Sequence, residues 1–145
     1  MARGSVSYRL EWRGSQVAAV VTDAISVAMA KSFLIGEQVA KGALVPGHGY
    51  DTGTMQRGTH VAAKGYPWPA DNVEPAPGSP ERGGHLVMPT QSGPQGVLAL
   101  ELGCGQEYTI YYHSNHDDFL ARGKRVADDA LPAQIHAELA ARGYA

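Results

Sequence analysis

An α+β fold is what this sequence predicts: an antiparallel sheet of about four or five strands packed against one long N-terminal helix and a C-terminal helix, with a long Pro-rich loop. Three observations predict it. Apolar residues recur at helical spacing from Gln16 to Lys41 and again from Arg122 to Arg142. Between those stretches lie short runs rich in β-branched, aromatic and apolar residues, each bounded by Gly or Pro. Finally, Pro46 to Gly58 packs four glycines, one proline and an Asp-Thr-Gly into thirteen residues, so helical periodicity stops there and strand patterns begin.

Length and composition set the frame. The 145 residues suffice for a single domain, 1–145, and are too few for two ordinary ones. A hydrophobic content of 43% is globular, and the net charge of −2 provides no concentrated basic face for wrapping nucleic acid. The lone cysteine, Cys104, allows no internal disulfide. No signal-peptide pattern opens the sequence, and Asp23 and Lys31 interrupt its longest apolar region, so no membrane span and a reducing cytoplasm are expected.

In chain order, Ser5 to Trp12 alternates Val6, Tyr8, Leu10 and Trp12 with polar residues, the pattern of a half-buried strand. Gly14 ends it, and Ser15 is placed to cap the long helix. That helix, carrying Val17, Val20, Val21, Ala24, Ala28, Ile35 and Val39, would run roughly 40 Å along the sheet. Val27, Phe33 and Leu34 widen its apolar surface beyond one stripe, which reads either as a broad core contact or as a second face for a neighbouring subunit. Gly36 weakens it near its end.

After the corner, Thr59 to Lys64 reads as a strand with Val61 and Ala63 on one face. Residues 65–84 hold Pro67, Pro69, Pro75, Pro77 and Pro80 and form an extended arm, because no packed element tolerates that proline density. Tyr66 and Trp68 at its base either dock on a partner or fold back onto the core. His85 to Met88 is a short strand, Pro89 to Gly96 a turn region, Val97 to Leu102 a central strand, and Gly103-Cys104-Gly105 a further turn. Glu107 to His113 fits a strand by propensity and a helix by the spacing of Tyr108, Tyr111 and Tyr112. The last helix carries Pro132, which predicts a kink or two helices meeting, and Gly143 is a C-terminal stop.

The chemistry-bearing residues are few. Asp51-Thr52-Gly53 reads as a capped turn or as the half-site of a homodimeric aspartic hydrolase, in which two carboxylates share a proton. The flanks oppose the second reading: a retroviral-type protease has an apolar run before the Asp, where this chain has Gly49-Tyr50. His113, His116, Asp117 and Asp118 contain ligand types, but an Asn-His-Asp-Asp run before a helix serves as its cap. Cys104 has no base assigned by spacing, and no phosphate-binding glycine loop occurs. No catalytic residue, cofactor or metal is therefore expected.

The order of elements resembles the tail-completion and head-tail joining family of long-tailed bacteriophages. The resemblance rests on the long helix, the Pro followed by Asp51, Thr52 and Gly53, and Thr54 to Gly58 with Arg57. It continues through the strand Leu98 to Leu102, the aromatic run Tyr108 to His113, and Phe119-Leu120 leading into the last helix. It covers most of residues 15–142 and departs at Thr109, where alanine is usual, and at His113. It implies a non-enzymatic virion subunit, held in the host cytoplasm before assembly, that forms a hexameric or dodecameric ring at the neck. Its implied partners are connector or head-completion proteins on one side and tail-terminator or tail-tube proteins on the other. DNA would pass through the lumen without sequence-specific binding. A tail terminator capping the tube is the alternative within the same particle. Contacts to neighbours are expected from Tyr66, Trp68, Phe33, Leu34, Tyr108, Tyr111, Tyr112 and Phe119.

Overall fold

A computed structural model describes residues 13–46, 49–50, 54–63, 84–92, 96–105 and 118–144. Its elements in order are α1 (Gly14–Ala43), β1 (Val45–Pro46), β2 (Gly49–Tyr50), α2 (Thr54–Gly58), β3 (Thr59–Ala62), β4 (Thr90–Ser92), β5 (Val97–Ala99), β6 (Glu101–Cys104) and α3 (Phe119–Ala141). The mixed α and β class, the long N-terminal helix and the C-terminal helix are as expected. The expected strand over Ser5 to Trp12 and the element at Glu107 to His113 lie outside the described residues.

The sheet differs from expectation. Among the described residues there are three two-stranded pairings rather than one sheet of four or five strands. β3 and β6 are antiparallel, with Val61 opposite Leu102 and Gly103 opposite the fully buried His60. β4 and β5 form an antiparallel hairpin, and β1 and β2 a two-residue parallel bridge. The run Val97 to Leu102, expected as one strand, breaks at Leu100: its first half pairs with β4 and its second continues through Cys104 against β3. Gly103 and Cys104 are therefore strand residues rather than a turn, and Thr90–Ser92 is a strand where a turn region was expected. His85 to Met88 forms no strand.

The dominant packing is helix on helix. α1 and α3 run antiparallel, Asp23 meeting Arg142 at one end and Gly36 meeting Gly123 nearer the other. Residues 24, 28, 32, 36 and 40 of α1 are Ala, Ala, Ser, Gly and Ala, and all five are buried. Spacing of four puts them on one narrow face, so α3 approaches over a strip with almost no side chain. A Cβ on Gly36 would lie 2.5 Å from the Gly123 carbonyl oxygen, and one on Gly123 2.5 Å from that of Gly36. Gly36, expected only as a weak point in the helix, is where the two backbones come closest. The large apolar residues flank this strip, and Val20, Ile25, Met29, Phe33, Leu34 and Val39 are all only half-buried.

Where α1 ends, Ala40, Leu44, Met55 and Phe119 close a small core, joined by Leu102, Cys104 and Leu120. The carbonyls at that end have no following helical turn to supply their donors. Gln56 supplies them, its Nε2 donating to the carbonyls of Lys41 and Leu44 at 3.0 and 3.2 Å. β3 is buried on both faces, not on the one face expected; α1 packs against it, and β6 pairs along its edge.

Helix termini follow the sequence in part. Asp118 caps α3, accepting from the Ala121 N–H at 3.2 Å. Gly143, at φ +80°, stops it: its N–H donates to the Ala140 carbonyl and that of Tyr144 to the Leu139 carbonyl. Ser15 does not cap α1, which begins one residue earlier on the Arg13 carbonyl. Pro132 lies inside one continuous helix, not at a junction of two. It is exposed, so the hydrogen bond it removes falls on the solvent side, where water can replace it. Despite Asp23 and Lys31, α1 is long and apolar enough to cross a membrane by length and composition alone, a profile that core helices of soluble proteins share. Both charges pair here with α3.

The close approach sets a test. Gly36→Ala forces a methyl against a backbone oxygen that cannot move aside, and should cost about 1–3 kcal/mol in urea unfolding. Gly42→Ala, with nothing within 4 Å, should instead be neutral or stabilising by up to about 1 kcal/mol.

Candidate interaction surface

Two polar clusters position the outer surfaces of the molecule. The first centres on Glu37, nearly two turns before the end of α1 and fully buried. Its Oε1 accepts from Lys41 Nζ at 2.8 Å and from the Gly84 N–H at 2.5 Å, and its Oε2 accepts from the Val61 N–H at 3.0 Å. One carboxylate thus ties three pieces of chain: α1, strand β3 and the extended residues that lead into the β4–β5 hairpin. A buried carboxylate is tolerated when its lone pairs are filled and a cation is beside it, and both conditions hold.

The second cluster joins the helices. Glu138 of α3 accepts from Lys31 of α1 and, at 2.6 Å, from Arg142, whose other nitrogen donates to Asp23 at 2.6 Å. The hydrogen bond from Lys31, then that from Arg142, hold the Glu138 carboxyl below the usual carboxylate range, and Glu138 and Asp23 raise Arg142. Four charges therefore fix the helix pair at the end away from the small core.

Outside these clusters, apolar side chains face solvent on the residues leading into the hairpin and on β5. Leu86, Met88 and Val97 are 43%, 45% and 61% exposed, while Val87 between the first two points inward and is buried. The extended residues 84–89 thus turn alternate side chains in and out. The half-buried flank of α1, with Phe33 and Leu34, is a second apolar surface.

The residues expected to carry contacts divide as follows. Phe33 and Leu34 are half-buried on α1, and Arg57 is half-buried in α2. Phe119 is not available to a partner: it is 0% exposed, because as the first residue of α3 it plugs the core between Leu44 and Met55. Asp51, Thr52, Gly53, Tyr66, Trp68, Tyr108, Tyr111 and Tyr112 lie outside the described residues, as do His113, His116 and Asp117. Among the described residues no three His, Cys, Asp or Glu side chains form a group able to hold a metal.

Glu37, Gln56 and the exposed Leu86, Met88 and Val97 were not singled out from the sequence. Glu37 left one signal, an acid four residues before Lys41 in a helix with few other charges. Comparison with family models, with curated proteins and with solved structures finds no match for this chain.

The sign of the Glu138 shift fixes a pH dependence. Its carboxyl is depressed in the folded state, so its contribution is present above the unfolded value of 4.5 and is lost as pH falls through the lower folded value. Urea midpoints should therefore drop below pH 4.5, and Glu138→Gln should flatten that acid limb while lowering the midpoint at pH 7.

Proposed function

We propose that this chain is a structural virion subunit of a long-tailed bacteriophage, a head-tail joining or tail-completion protein that assembles into a ring at the neck. The observation that carries the reading is the order of elements around the family-like stretches. A long helix runs up to the Pro46 corner, a strand follows directly after Thr54 to Gly58, and Phe119-Leu120 opens the last helix. The exposed apolar side chains of the hairpin and the half-buried flank of α1 also support it, since a ring subunit needs two different surfaces that meet head to tail.

Such a subunit works by complementarity rather than chemistry. The charged and small-residue contacts between α1 and α3 make a stiff body. Surfaces such as Leu86, Met88 and Val97 then gain little from a single contact and much from repetition round a closed ring. The neighbours are head-side connector and tail-side proteins, and the net charge of −2 suits DNA passing through rather than adhering.

The test is the mass of the protein by light scattering, alone and mixed with isolated phage tails. A hexamer or dodecamer, or a monomer that becomes a ring only on tails, is the expected result. Val97→Asp, at an exposed position, should abolish that association while leaving the thermal midpoint unchanged. A dimer indifferent to tails would overturn the reading, and loss of a peptidase activity in Asp51→Asn would replace it with the hydrolase.

A further inference from the structure

We propose that the outward stripe of α1 is a docking site for the same stripe of a second copy, the two helices packing antiparallel about a twofold axis at Val27. The inference does not depend on the phage reading; within it, a ring closed by other surfaces and doubled across this axis is a dodecamer. The strip of small residues that meets α3 occupies one side of α1. On the opposite side, residues three or four apart form a seam about 33 Å long from Gln16 to Gln38. Val20, Val27 and Leu34 are half-buried along it, and the charged positions between them face solvent. The Asp23 and Lys31 side chains stay 63% and 45% exposed although each is bonded to α3.

The order of residues along this stripe names its occupant, because the stripe read backwards is its own complement. In an antiparallel pair centred on Val27, residues equidistant from it meet. Four positions to either side stand Asp23 and Lys31, so each carboxylate faces the partner's Lys31. Seven to either side are Val20 and Leu34, an apolar pair, and eleven to either side are two glutamines. A parallel pair would instead set carboxylate against carboxylate and ammonium against ammonium. Asp23 also brings Arg142, and Lys31 brings Glu138, so the charges alternate from Arg142 through Asp23 to the partner's Lys31 and the partner's Glu138. The like pair in this register, Arg13 with the partner's Lys41, falls beyond the ends of the stripe, and Lys41 is bonded to Glu37 at 2.8 Å.

Disulfide cross-linking of the full chain under mild oxidation tests this. The background is Cys104→Ser, whose hydroxyl can keep the hydrogen bond to the Met55 carbonyl. The protein is held at about 0.1 mM, where a pair with a micromolar Kd is associated. Val27→Cys should join two copies, because a residue on the axis faces itself. Gln16→Cys and Gln38→Cys lie at exposed positions and test the same register should the first variant not fold. Mixed, these two should cross-link about tenfold faster than either alone, since antiparallel packing brings 16 to 38 and not to another 16. Cross-linking of Gln16→Cys alone at the rate of the mixture overturns the proposal, as does the absence of a cross-link from both Val27→Cys and the mixture. A pair that forms in this register and ignores phage tails supports the docking site and removes the phage reading; rings on tails without these disulfides do the reverse.

Discussion

The near contact of two backbones at Gly36 and Gly123 is the constraint from which most of this structure follows. A carbonyl oxygen of each helix lies 2.5 Å from where the other's Cβ would be, so neither position accepts a side chain without a shift of backbone. Once the helices are that close, the strip between them admits only Ala24, Ala28, Ser32 and Ala40 from α1 and Ala127 from α3. The large apolar residues of α1 are pushed to its flanks. That arrangement explains why a helix with five valines and two isoleucines buries mostly alanine. Dispersion over a long, flat contact replaces the deep interlocking of bulky side chains.

The adjacent residue, Glu37, extends the same helix toward the strands. A carboxylate in a core is costly unless nearly every lone pair is filled, and here two backbone N–H groups from separate segments and one ammonium fill them. The need to satisfy that charge fixes where β3 and the residues from Gly84 must pass. Midway along α1 the Asp23, Lys31, Glu138 and Arg142 cluster performs the comparable task between helices. Between them the two clusters set which of the described surfaces remain outside: the flank of α1 and the exposed Leu86, Met88 and Val97.

Those outer surfaces give the proposed ring subunit its physical logic. A body stiffened by backbone contact and ion pairs presents the same apolar side chains in every copy, which is what a closed ring needs. Phe119 shows how a residue can belong to a recognisable sequence pattern and yet have an internal role. Its position opening α3 matches the expected order of elements, and its ring fills the core rather than meeting a neighbour.

Much of the helical framework was legible in the residues themselves. The 3.6-residue periodicity placed α1 and α3, Asp118 marked the start of α3, and Gly143 marked its end, because helix periodicity and capping are local properties. The strand signal at Thr59 to Lys64, which the structure shows as Thr59–Ala62, was equally local. Other features were decided only by tertiary structure. Val97 to Leu102 is a nearly continuous apolar run in sequence, and nothing local says that its halves pair with different strands, since pairing depends on partners far along the chain. Gly36 looked like a weak point in a helix until Gly123, 87 positions away, was brought against it. Glu37 was not singled out at all, and its burial follows from Val61 and Gly84 closing over it. The sequence by itself determined where the chain coils and where it turns; which polar group is buried, and which glycine is a contact, followed only from what the fold placed opposite.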